Sequence, residues 1–199
     1  MPGTMSEAGD TSSDFAGVVT PAGHDAPGRS RAAADAGAGC APAGVSDPGV
    51  IACYAPGTLI ATRAGPRWIE ALMPGDTVLT ADHGSQPIGS VMRFRQSLTG
   101  LPDAALPVLI RRGALGPDLP ARDLVVSARH RILAGGHGQL AAVFGTELFV
   151  PATALTGLPG IRVMRGRQAI TWHHFACARH EVVLAEGCCS ESLLPGPDV

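Results

Sequence analysis

From Thr58 onward, short apolar runs alternate with turn residues, and nearly every run has the length of a strand rather than a helix. The runs are Thr58–Thr62, Arg67–Ala71, Thr77–Ala81, Ile88–Arg95, Pro107–Arg111, Asp123–Ser127, Leu148–Val150, Ile161–Arg165, Ile170–Phe175 and Glu181–Ala185. Each is rich in Val, Ile, Leu or Thr. Turn signals separate them, among them Ala64-Gly65-Pro66, Pro74-Gly75-Asp76, Asp82-His83-Gly84 and Leu158-Pro159-Gly160. Only Ala152–Leu158 reads as a helical turn. So many short strands at close spacing predict an all-β sandwich or folded-over β-assembly, with Trp68 and Trp172 in its core.

The first part of the chain is written differently. Residues 1–52 hold twelve Ala, nine Gly and five Pro, with Phe15 the single aromatic. That composition cannot bury enough apolar surface to offset chain entropy. It predicts a disordered leader over 1–49 and a folded domain over 50–196.

Charge and cysteine content narrow the function classes. The formal net charge is -2, all fifteen cations are Arg, and there is neither Lys nor Asn. With no Arg run longer than a pair, a nucleic-acid partner is not expected. No stretch of about 18 apolar residues predicts a membrane span. No basic residue precedes Arg29 and no apolar h-region follows the N-terminus, so no Sec signal is expected. Five irregularly spaced cysteines do not resemble a disulfide framework. Reduced thiols in a cytoplasmic compartment are the default expectation, with signal-less export left open.

Three stretches could carry chemistry. Cys53 stands where the leader meets the first strand. A thiolate there can reach the carbonyl carbon of Ala52 through a five-membered ring; the plainer reading is a small buried hydrophobe. Ser127-Ala128-Arg129-His130 follows the apolar run Leu124-Val125-Val126 and puts a hydroxyl and an imidazole near one strand end. Its plainer reading is a capped turn. The third stretch holds His173, His174 and His180, then Cys188-Cys189. Its spacing lacks a CxxC or HxxxH pair, so neither a metal nor any cofactor is expected. His174 and His180 are candidates for catalysis or for structural hydrogen bonding. Asp123 reads as a solvated turn acid, or as a partner of Arg or of His130.

Together these pieces carry a specific resemblance. The stretch from Cys53 to Asp82 resembles the opening block of the Hint superfamily, which unites inteins with hedgehog autoprocessing domains. The matching positions are Cys53, Tyr54, Gly57, Thr58, Ile60, Thr62, Gly65, Ile69, Glu70, Leu72, Gly75, Asp76, Val78, Thr80 and Asp82. Ser127 and His130 are similar to the family's second block, [TS]-x-x-H, and Trp172 through Gly187 to its later block. The closing run HEVVLAEG is most similar to bacterial stand-alone, non-splicing members.

The resemblance implies a horseshoe of short strands in two pseudo-symmetric halves. It also implies an N-to-S acyl shift at the Ala52–Cys53 bond. Cys53 would attack the Ala52 carbonyl, His130 would donate to the departing nitrogen, and Ser127 would orient or polarise the bond. His174 and His180 could assist. The substrate would be the chain's own N-terminal segment, and water or a small thiol or amine would resolve the thioester. Cys188 or Cys189 could take the acyl group if their strand lies beside Cys53. Splicing ends with cyclisation of an Asn that this sequence does not have; Glu191 and Ser192 fall near the His-Asn positions, and seven residues follow Ser192. The alternative is a catalytically silent Hint fold acting as a binding or structural module. A thiol hydrolase or zinc enzyme acting on another molecule is a further reading.

Overall fold

The computed structural model describes residues 52–136 and 138–193; the leader expected over 1–49 lies outside them. Twelve strands are described: β1 Leu59–Ile60, β2 Arg67–Trp68, β3 Thr77–Thr80, β4 Gly84–Ser97, β5 Val108–Ile110, β6 Leu124–Val126, β7 Arg131–Ala134, β8 Leu148–Pro151, β9 Ile161–Val163, β10 Ala169–Cys177, β11 Val182–Ala185 and β12 Cys188–Glu191. The helical content among these residues is three 3₁₀ turns, Ile69–Ala71, Asp103–Ala105 and Ala152–Leu155. The all-β expectation holds for the described residues.

The strands form two antiparallel sheets. The larger runs β10-β4-β3-β11-β12-β7-β8, with β1 on β11 and β2 on β1; the smaller runs β6-β5-β9. β4 is long enough to serve two partners, pairing β3 over Gly84 to Pro87 and β10 from Ile88 to Ser97. The segment entering β1 joins the two sheets. Tyr54 forms antiparallel bridges to His173 in β10 and to Val126 in β6. Tyr54 N donates to His173 O at 2.8 Å, Ala55 N to Val125 O at 3.0 Å, and Ser127 N to Cys53 O at 3.0 Å. Cys53 therefore lies between the end of β6 and the middle of β10.

Burial explains why this seam is fixed. Residues 170 and 172–177 of β10 are all buried, and Val126, Trp172 and Phe175 are nearly inaccessible. A strand covered on both faces loses apolar burial along its whole length if it slips by one residue. The seam also separates two core clusters. Tyr54, Val126, Ile132, Phe175 and Cys188 belong to the larger; Cys53, Leu98, Leu106, Ile170 and Trp172 form the smaller.

Two sequence expectations are corrected. The run Arg67–Ala71 is strand only to Trp68 and then turns as a 3₁₀ helix. Trp68 is not core: it is 44% exposed, with the Arg122 guanidinium 4.7 Å from its ring centroid. Position 68 alternates outward on a two-residue edge strand, so its ring is covered by a cation rather than by the core. Asp123 is exposed, as a solvated turn acid would be, and its Oδ1 accepts the Arg112 amide at 2.9 Å.

The β11–β12 hairpin bears directly on the site. Ala185 pairs with Cys188, leaving Glu186 and Gly187 as a two-residue turn with φ of 50° and 80°. Such a turn needs positive φ at both positions, which Gly adopts freely and Glu does not. Glu186 is held there by its buried carboxylate. Oε1 accepts the Leu59 amide at 2.7 Å, and Arg122 donates Nε to Oε2 at 3.0 Å and Nη2 to Oε1 at 2.5 Å. Arg122 Nη2 also donates to Gly57 O at 2.8 Å, and Glu70 Oε2 accepts the Gly57 amide at 2.9 Å. This clamp fixes the loop directly after Cys53.

Candidate active site around Cys53

Cys53 is fully buried, and each of its polar groups meets a partner from a distant part of the chain. Its amide donates to Ser127 Oγ at 3.1 Å. Its carbonyl lies 3.2 Å from His130 Nδ1. Its sulfur lies 3.5 Å from His174 Nδ1. Ser127 and His130 face Cys53 together because they bracket a turn, closed by the His130 amide on Ser127 O at 3.1 Å. That turn is pinned from outside, where Ala152 and Thr153 of a 3₁₀ turn donate to the His130 and Ala128 carbonyls. His174 arrives on β10, the strand on the other side of the seam.

These contacts fix protonation states. A carbonyl only accepts, so His130 Nδ1 carries the proton and Nε2 is a bare acceptor. Burial holds the His130 imidazole down at about 4, so it is neutral at pH 7. The Tyr54 ring packs against it edge-on with centroids 4.4 Å apart, and Nε2 meets no hydrogen-bonding group among the described residues. Burial pushes the Cys53 thiol up to about 12, leaving it protonated at neutral pH. Its S–H then donates to His174 Nδ1. Burial also lowers the His174 pKa, so that ring is neutral and free to accept a proton.

Of the five candidate side chains, four gather here: Cys53, Ser127, His130 and His174. His180 does not. Its Nε2 meets Glu191 Oε2 at 3.2 Å, and its ring packs on Phe149 with centroids 5.6 Å apart. Glu191 is buried and also accepts the Arg131 amide at 2.8 Å and Arg131 Nε at 2.6 Å. Glu191 and Arg131 line an open cavity of about 490 Å³ whose wall includes Ala52. His180 thus borders the acyl side of the Ala52–Cys53 bond through Glu191. Arg131 also belongs to these surroundings. Its one visible signal was adjacency to His130. β12, which carries Cys188 and Cys189, pairs with β11 and β7 rather than with the Cys53 segment.

The class defined by fold and site is an all-β domain with a buried cysteine at its threshold, dressed by a serine and two imidazoles. Residues 52–197 match the family model described as the Hint domain, and the chain belongs to that family. Solved structures to which the chain is similar include an intein-like bacterial domain from Clostridium thermocellum, at 14% identity and TM-score 0.45 over 72% of this chain and 98% of that one. The AceL NrdHF class 3 split intein is 16% identical, with TM-score 0.43 over 72% and 99% of the two chains. The gp41-1 intein is 12% identical, with TM-score 0.40 over 70% and 97%. No curated protein matches the chain. Among the described residues no helix is long and apolar enough to cross a membrane.

Proposed function

We propose that the domain is an autoprocessing module that breaks its own Ala52–Cys53 peptide bond by an N-to-S acyl shift, without protein splicing. The observation that supports this is the complete set of partners on Cys53: imidazole on sulfur, hydroxyl on nitrogen, imidazole on carbonyl. His174 Nδ1 takes the thiol proton. Sγ bonds to the Ala52 carbonyl carbon, the C–N bond breaks with its electron pair going to nitrogen, and that nitrogen is protonated. Ser127 already touches the nitrogen and is the nearest hydroxyl that can hand it a proton. His130, whose Nδ1–H lies on the adjacent Cys53 carbonyl, is the acid that passes its proton to the same nitrogen, and the proton taken up by His174 makes good the loss. Overall a proton leaves sulfur and ends on nitrogen, so the shift is an isomerisation. It yields a thioester at Ala52 and a free amine on Cys53.

The cavity beside Ala52 gives water, or a small thiol or amine, room to reach that thioester and release the N-terminal segment. Splicing lacks its last step, because no Asn is present to cyclise. The residues near the corresponding positions have other tasks: Glu191 holds Arg131 and His180, and Ser192 clasps the Glu181 backbone. Intact-mass measurement with and without hydroxylamine or dithiothreitol tests the proposal. Cleavage at Ala52–Cys53 is expected to be accelerated by either reagent and abolished by Cys53→Ala. A 20.3 kDa chain that stays whole under both reagents counts against it.

One observation favours a second reading, a Hint fold without turnover. The sulfur is fully buried, and a protonated His174 would have no partner for Nε2. In that case Cys53→Ser behaves like the parent in every assay above.

A further inference from the structure

A separate cluster lies where the β3–β4 turn meets the residue before β11. His83 Nδ1 stands 2.6 Å from Glu181 Oε2 and 3.5 Å from Asp82 Oδ2, and the three donor atoms all lie within 4.8 Å of one another. Glu181 is completely buried, yet its Oε1 has no hydrogen-bond partner; the nearest cation, the exposed Arg179 guanidinium, is 3.8 Å away. A buried carboxylate oxygen left in this state is costly unless an ion or water completes it. Two carboxylates face one imidazole, so the cluster offers oxygen and nitrogen donors to a cation.

We propose that Asp82, His83 and Glu181 form a binding site for a divalent transition-metal ion of the zinc class. Two oxygens and one imidazole nitrogen suit such an ion, whereas Mg²⁺ and Ca²⁺ take all-oxygen sets. Bonds of about 2.0–2.2 Å in a tetrahedron put donor atoms roughly 3.3–3.5 Å apart. The His83–Asp82 pair already has that spacing. The His83–Glu181 pair must open by less than about 1 Å, and His83 is on a turn with its side chain 44% exposed, so it has room to move. Solvent would supply the remaining ligand.

The ion would tie the β3–β4 turn to the chain's C-terminal strands. The Glu181 amide donates to Ser192 Oγ at 2.9 Å and the Ser192 amide to Glu181 O at 2.8 Å. Ser192 also lines the cavity beside Ala52. Calorimetric titration of the metal-free full chain with Zn²⁺, together with thermal melts, tests the site. One ion per chain is expected, with a melting temperature that rises with Zn²⁺ concentration. His83→Gln and Asp82→Asn, which leave the buried carboxylate in place, should each weaken binding about tenfold or more with unchanged far-ultraviolet circular dichroism. Cys53→Ser should bind like the parent. No heat and no thermal shift in the parent overturns the proposal. Binding that survives His83→Gln, or disappears with Cys53→Ser, overturns it equally by putting the ion elsewhere.

Discussion

Cys53 and His130 are both held in their uncharged forms by the same cause, removal from water, and this has measurable consequences in opposite directions. A thiol raised to about 12 is a poor nucleophile toward added reagents. Native protein should react with iodoacetamide at Cys53 far more slowly than urea-unfolded protein, as peptide mass mapping would read. Replacing His174 by Ala removes the base that meets the sulfur, and self-cleavage should slow by about 10²–10⁴-fold. For His130 the folded pKa of about 4 lies below the unfolded value near 6.5. Between those values the unfolded chain binds the extra proton, so stability falls as pH drops from 7 toward 4. The His130 share of that loss between pH 7 and pH 5 is about 2 kcal/mol. Urea unfolding at both pH values should show His130→Gln losing less stability on acidification than the parent.

At the scale of elements, the Glu186–Arg122 clamp is what connects hairpin chemistry to the site. Glu186 accepts a strained backbone conformation, and its side chain is only 2% exposed when paired with Arg122. Arg122→Ala should cost about 2 kcal/mol, because it removes two hydrogen bonds from a buried carboxylate and leaves it the Leu59 amide. Denaturant midpoints check the size, and Arg122→Lys should recover only part of it, since Lys lacks the planar fork. The strands themselves were unevenly legible. β3, β6, β9 and β11 are runs of Val, Ile and Leu between turn residues, and the sequence marks them plainly. β7 and β12 are not marked. Arg131-Ile132-Leu133-Ala134 has helix-neutral composition and Cys188-Cys189-Ser190-Glu191 has no β-branched residue, so tertiary pairing alone makes them strands. The same holds for the site. Cys53, Ser127 and His130 are legible from motif spacing, and His174 from its place on an apolar strand. That His180 meets Glu191 instead of the sulfur follows from the β11–β12 pairing, which sets Val182 opposite Glu191, and the composition of β12 does not mark it as a strand.

For the whole molecule, the decisive property is that the proposed nucleophile, base and scissile bond belong to one chain and one buried seam. The Cys53 segment is hydrogen-bonded to both sheets, so the reacting groups are preorganised by the fold and no encounter between molecules is needed. Cleavage should therefore follow first-order kinetics with a rate constant independent of protein concentration from dilute to concentrated solution. Adding a Cys53→Ala chain as a competing substrate should neither slow the reaction nor be cut itself. Mass spectrometry of an isotope-labelled Cys53→Ala chain mixed with unlabelled parent distinguishes the cases, since processing between chains would consume the labelled species. Because the five-membered ring formed by Sγ and the Ala52 carbonyl cannot span two molecules, any cutting of the labelled chain would mean that the acyl shift is not the first step.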